Sequence, residues 1–449
     1  MKPSLFNGPA VGLFAALLLG RPALAANNTE DPDPPTLPLS ITPNFNFNFL
    51  VGLSNTLSGG ADIGPILGVA QKTEAAPGDF PFYTAVFHEL ALETKAQAED
   101  PYNAFDPINV RDAWFSTAHY FRRADEVNHR NWSNPQINSF WEEQTAAFNK
   151  GLAALPIPGK RIQIPAPEGN FIVEAIWYAA SGSNGDKLPT LIIGNGLDAA
   201  QEDSYHHFVA HALLRGWNCI TYEGPGQPTV RRNQNLGFIP EWERVVTPVV
   251  DYVLSEKADV VDTDRLVLLG NSFGGYLGGR AAAFEPRLSA VILIGGPWDA
   301  YDGFSKQLPS GLLPIYEAGN YTQFDHQVHS LREAGKLPPD ASWGLDYGLW
   351  AMNTHSPSEF FTQTKQYRLD DVVDQIEMPV LIADAELEFI SIGQGQQVTD
   401  AIGPNAERHL FNGTAGYHCQ TGAYQELTRT LHSWLHKTLG KGQGHLRSA

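Results

Sequence analysis

Residues 266–275 read Leu-Val-Leu-Leu-Gly-Asn-Ser-Phe-Gly-Gly and contain the single G-x-S-x-G of the 449-residue chain. An apolar run precedes this motif and a small-residue run follows it, the pattern of a strand, a sharp turn and a helix. A serine on such a turn sits in a strained backbone that projects its hydroxyl at the carboxyl edge of a sheet, and Gly270 and Gly274 are needed because side chains there would collide across the turn. The chemistry offered is nucleophilic attack on a carbonyl carbon by Ser272. The backbone N–H groups of the following helix favour the negative charge that attack creates.

A serine nucleophile needs a base, an orienting acid and an oxyanion site. On a strand–turn–helix scaffold these follow in the order Ser, acid, His, with the base in a loop after the last strand. His418, in Gly416-Tyr417-His418-Cys419, lies between the strand Arg408–Phe411 and the final helix. The competitors fit less well: His409 falls within that strand, and His432 and His436 sit one turn apart on the last helix, expected on its solvent side. Three acids follow the strand Pro379–Ala383, namely Asp384, Glu386 and Glu388. A position three residues past the small Ala385 points to Glu388. Asp384 is the alternative, with the commoner side chain but less reach, and Glu386 is expected to point away. The oxyanion would be held by the N–H of Phe273 and by that of Leu197, in the turn Gly194-Asn195-Gly196-Leu197. Taken alone, that glycine pair reads as an ordinary strand-to-helix turn.

Other features carry less. His207 and His211 have a metal-compatible i, i+4 spacing but no third ligand nearby, so they read as surface helix residues, as do His326 and His329. No metal site and no cofactor are expected. Cys419 adjoins His418 but lacks the local geometry that Ser272 has. Tyr222-Glu223-Gly224-Pro225-Gly226-Gln227 lacks the lysine of a phosphate-binding loop. Cys219 and Cys419 are the only cysteines, which excludes a disulfide-stapled scaffold, and a bridge between them is not expected.

The elements that must position these groups can be read from periodicity. Arg111–Asn128 and Asn138–Leu155 carry apolar residues at three- and four-residue spacing and read as helices. Arg161–Ile164 and Phe171–Tyr178 read as a strand pair. Strands at Leu188–Ile193, Trp217–Tyr222, Arg265–Leu269 and Leu288–Ile294 then alternate with helices, which means a parallel sheet covered on both faces. Alternation stops between Trp298 and Glu377 and resumes at Met378. The expected organisation is a signal peptide (1–25), an N-terminal arm (26–79), a helical cap domain (80–160), an α/β core (161–299 and 376–440) interrupted by a cap insertion (300–375), and a tail (441–449).

Lys2, the apolar Val11–Gly20 and Ala23-Leu24-Ala25 have the layout of a secretory signal peptide, whose core is too short to span a bilayer. Sequons at Asn27, Asn131, Asn320 and Asn412 agree with a secreted or secretory-lumen protein. With 30 Lys and Arg against 49 Asp and Glu, the formal charge of −19 argues against nucleic-acid and anionic-membrane partners and leaves a small-molecule substrate.

In Gly194-Asn195-Gly196-Leu197-Asp198, Tyr222–Pro228, Trp242–Tyr252, Gly270–Tyr276 and Tyr417-His418-Cys419 the chain resembles the α/β-hydrolase superfamily. Within it, the chain is similar to the group with an N-terminal helical domain, which includes fungal yellowish-green-type polyketide-shortening hydrolases and the bacterial 2,6-dihydropseudooxynicotine hydrolase. The resemblance spans roughly residues 80–440. It implies a cofactor-free Ser-His-acid hydrolase, often a homodimer, with its site between cap and core, cleaving C–C bonds next to ketones or acyl bonds in secondary metabolites. A glutamate as the acid and a signal peptide depart from the common pattern. Two other readings share the same residues: a non-hydrolytic member (acyltransferase, cyclase or binding protein), and a secreted peptidase-like hydrolase, although no propeller-like repeats precede the core.

Overall fold

The near-continuous apolar runs become the interior of an eight-stranded sheet. In a computed structural model, which describes residues 36–181 and 185–440, the strands are β1 (Lys160–Ala166), β2 (Phe171–Tyr178), β3 (Leu188–Gly194), β4 (Asn218–Glu223), β5 (Val261–Asn271), β6 (Ala290–Ile294), β7 (Val380–Ala385) and β8 (Ala406–Phe411). Their spatial order is β1-β2-β4-β3-β5-β6-β7-β8. β1 and β2 pair antiparallel, β2 joins β4 antiparallel, and every later pairing is parallel. The sheet is therefore buried on both faces, and β3, β4 and β6 carry almost no exposed residue.

Among the described residues five α-helices precede the sheet: α1 (Pro43–Asn55), α2 (Ile63–Thr73), α3 (Phe80–Glu99), α4 (Pro107–Glu126) and α5 (Gln136–Ala153). Residues 43–73 thus correct the reading of 26–79 as an arm. The composition misled because Pro43–Asn55 alternates Asn with Phe, a poor helix pattern by propensity. Burial overrides it: Phe45 and Phe49 pack on Tyr83 of α3, and Asn46 and Asn48 are buried in hydrogen bonds with Leu39 and Arg123.

The remaining helices alternate with strands. A π-helical turn (Tyr205–Val209) runs into α6 (Ala210–Leu213), followed by α7 (Pro228–Gln234), α8 (Glu243–Glu256) and α9 (Phe273–Phe284). Between β6 and β7 lie α10 (Ala300–Ser305), α11 (Leu313–Glu317), α12 (Tyr321–Glu333), α13 (Pro339–Ala351) and α14 (Pro357–Thr364). Helices α15 (Gln394–Ile402) and α16 (Tyr424–Leu439) complete the alternation. Helices α1 and α4 and the α10–α14 insertion meet over the carboxyl ends of the strands, where they wall a cavity. Among the described residues no helix is long and apolar enough to cross a membrane. The signal peptide and Asn27 lie outside the described residues.

Candidate active site

The turn between β5 and α9 has the strain that the glycine spacing predicts. Ser272 adopts φ 58° and ψ −129°, a costly backbone for a residue with a Cβ. Two bonds hold it there, from Ser272 N to the Ile294 carbonyl (2.7 Å) and from Gly275 N to the Ser272 carbonyl (2.7 Å). A Cβ on Gly270 would come within 1.9 Å of the Gly274 carbonyl oxygen, so no larger residue fits.

Ser272 Oγ lies 3.0 Å from His418 Nε2, and His418 Nδ1 lies 2.6 Å from Glu388 Oε2. The carboxylate can only accept, so Nδ1 carries the proton and Nε2 is left to accept from the serine hydroxyl. The Glu388 side chain is itself fixed, because Oε1 accepts from the N–H groups of Phe389, Ile390 and Ser391. Burial alone would raise the Glu388 pKa, but the charge and hydrogen bond of His418 and the Ile390 and Ser391 amides outweigh it and hold the carboxyl below its ordinary value. At His418 burial opposes the charge, but the Cys419 sulfur, 3.3 Å from Nε2, and the Glu388 carboxylate outweigh it, so the imidazole pKa is raised well above 6.5.

The other candidates are placed elsewhere. Asp384 is buried at the end of β7 and paired with Arg408 through Nη2 (2.7 Å) and Nε (2.8 Å). Glu386 accepts from Gly413 N at 3.1 Å near the surface. His409 is exposed on β8, and His436 is exposed on α16. His432 corrects the expectation of a solvent face, because it is buried edge-on against Trp217. His207 is likewise buried rather than on the surface, and His211 is half-buried. Periodicity alone missed both because the helices concerned are packed between the sheet and their neighbours. Among the described residues no group of three or more metal-ligating side chains could hold an ion. Cys219 and Cys419 are both buried as free thiols.

The two turns that carry the amides proposed for the oxyanion lie against each other. Phe273 opens α9, so its N–H has no acceptor within its own helix. A Cβ on Gly196 would be 2.8 Å from that nitrogen, which brings the Gly196-Leu197 turn directly against it. The turn is pinned by Asn195, whose Oδ1 accepts from Ser204 Oγ (2.7 Å). It is pinned too by Gln227, whose Nε2 donates to the Asn195 (2.7 Å) and Gly196 (3.2 Å) carbonyls. The Tyr222–Gln227 segment therefore positions the Gly196-Leu197 turn, a role its sequence did not reveal. Its only signal was a Gly-Pro-Gly turn directly after a core strand.

An eight-stranded, mostly parallel sheet with a serine elbow after β5 and five helices ahead of it is an arrangement found in known proteins. No family model matches the chain. It is 28% identical over 411 residues to Hydrolase LUC6 of Fusarium sp, covering 88% of this chain and 96% of that protein. It is 28% identical over 413 residues to 20-hydroxy-prefusarin hydrolase FUS2 of Gibberella moniliformis, with the same two coverages. The crystal structure of a 2,6-dihydroxy-pseudo-oxynicotine hydrolase superposes with a TM-score of 0.68 at 18% identity, over 88% of this chain and 98% of that one. The chain has the α/β-hydrolase fold with an N-terminal helical domain, and the relatives it matches are named hydrolases.

The hydrolase opens its serine onto a solvent-connected cavity of about 210 Å³. One residue that pattern reading missed belongs to its wall. Phe47 of α1 packs against Tyr417 and His418, with ring centroids 5.7 and 6.4 Å apart. No local signal could have placed it, since the contact joins positions some 370 residues apart.

Proposed function

We propose that Ser272, His418 and Glu388 are the catalytic triad of a serine hydrolase that cleaves a C–C bond next to a ketone, or an ester or acyl bond, in a polyketide-like secondary metabolite. The supporting observation is the unbroken chain from Ser272 Oγ through His418 to Glu388 at the wall of a mostly apolar cavity. Ser272 attacks the carbonyl carbon as His418 takes its proton, and Glu388 stabilises the imidazolium. The Phe273 and Leu197 amides hold the oxyanion. His418 then protonates the leaving group, a carbanion stabilised as an enol in C–C cleavage or an alkoxide in ester cleavage. The name of FUS2, a hydrolase of 20-hydroxy-prefusarin, supports a hydroxylated small organic molecule as the substrate class. A fluorophosphonate probe should label one peptide, the one carrying Ser272, as read by tryptic mass spectrometry. Label elsewhere, or none, would sink the nucleophile assignment.

The pH profile follows from the base. Only neutral His418 accepts the serine proton, and its pKa is raised well above 6.5, so kcat/KM should climb with pH through an acid limb lying above 6.5. A limb at or below 6.5 in a pH–rate series would contradict this assignment.

The cellular setting is proposed to be secretory. Support comes from the signal-peptide layout and from the exposure of Asn131, Asn320 and Asn412. Material made in a eukaryotic secretory host should lose mass on peptide-N-glycosidase treatment, and an unchanged mass would argue for a different compartment.

A further inference from the structure

The cavity has two kinds of wall. The insertion supplies an apolar one, including Phe304, Leu308, Val328, Leu345, Phe360 and Phe361. The N-terminal helices and the segment after β3 supply a polar one, with Asn48, Arg123, Glu126, Asp203 and His207. Much of that polarity is satisfied internally. Arg123 pairs with Glu126 (2.5 Å) and Asp203 (3.4 Å) and donates to Asn48 Oδ1 (3.2 Å). These contacts clamp α1, α4 and the segment after β3 together.

They leave His207 unexplained. Its side chain lines the cavity from the π-helical turn and is 5% exposed, yet neither ring nitrogen has a hydrogen-bond partner. Buried polar atoms left unpaired are costly and rare, and they mark places where something outside the protein completes the bonding. Burial pushes the His207 pKa down to about 4, so at neutral pH the ring is uncharged and offers one donor and one acceptor. The charge around it selects among ligands. Among the described residues Arg123 is the one Lys or Arg lining the cavity, and it is already taken up by Glu126 and Asp203, while Asp198 and Asp340 add carboxyls. An anionic group would lose its water and gain no free cation there. A hydroxyl can both donate and accept, and it carries no charge to desolvate.

We propose that His207, within this polar wall, is a specificity-determining residue that recognises a hydroxyl group of the substrate remote from the carbonyl that meets Ser272. The inference rests on the hydrolase reading above and deepens it, describing the substrate as a molecule with an apolar body and a hydroxylated end.

Binding to the Ser272→Ala protein tests this without turnover. Isothermal titration would compare 2-alkanones of graded chain length with their ω-hydroxy and ω-carboxylate counterparts. At one chain length the hydroxy ketone should bind about tenfold more tightly than the alkanone, and the carboxylate should bind more weakly than either. Adding His207→Leu should abolish the hydroxyl preference, and adding His207→Gln, which keeps a donor and an acceptor, should retain it. Equal binding of hydroxy ketone and alkanone at every length, no binding of either, or a preference that survives His207→Leu would overturn the proposal. If His207→Leu does not fold, the comparison on Ser272→Ala alone and the His207→Gln variant still decide it. Failure of the hydrolase reading would show separately, as an unlabelled Ser272 in the fluorophosphonate experiment.

Discussion

Ser272→Ala should fold as the parent does and lose turnover by about 10⁵–10⁶-fold. The backbone argues for intact folding. Serine already places a Cβ at φ 58°, so alanine inherits the same strain and removes only the hydroxyl and its 3.0 Å bond to His418. One such bond contributes about 1 kcal/mol, too little to unfold a protein of this size. What turnover survives would come from the oxyanion amides and substrate binding, about 10³–10⁴-fold over water. Steady-state kinetics with a thermal melt of the same sample checks both halves. Near-parental activity would reduce the elbow to a structural turn.

The second large effect is expected at Glu388. In Glu388→Gln the side chain must satisfy two sets of partners with one oxygen and one NH₂ group. Three backbone N–H groups, from Phe389, Ile390 and Ser391, require an acceptor at one end. The NH₂ group then faces His418 Nδ1, which must become an acceptor, and the ring proton moves to Nε2, where it blocks acceptance from Ser272. The fall in kcat should be about 10²–10⁴-fold with little change in KM. Asp384→Asn should behave differently. Its carboxylate holds the partly exposed Arg408, not the imidazole, so the variant should lose about 1–3 kcal/mol of stability and keep kcat within a few-fold. The opposite ranking of the two variants would return the acid to Asp384.

The two acids show where local pattern stops being informative. Asp384 still belongs to β7, in register with Leu410 of β8, and there Arg408 reaches it. Beyond the strand, Leu387 pairs with Tyr417 and its N–H donates to the Gly416 carbonyl (2.8 Å), which draws the next residue, Glu388, to the side of His418. Spacing from Ala385 pointed to the same residue, but spacing alone left Asp384 open. The long-range pairing of two loops is what separates them.

The sequence by itself determined the elbow, the order of serine, acid and histidine, and the alternation of strands and helices. Each is set within a few residues: glycine spacing fixes the only turn that can hold Ser272, and continuous apolar runs can be buried only as interior strands. Tertiary structure alone decided that Pro43–Asn55 is a helix packed on His418, that Gln227 holds the Gly196-Leu197 turn, and that His207 lines the cavity instead of facing solvent. Those outcomes depend on what packs against a segment. An Asn-Phe alternation with weak helix propensity becomes a helix once Phe45, Phe49 and the buried asparagines find partners on α3 and α4. A histidine at helical spacing is a surface residue or a cavity residue according to which elements cover it, and here the coverage comes from α4 and α16, far away in the chain.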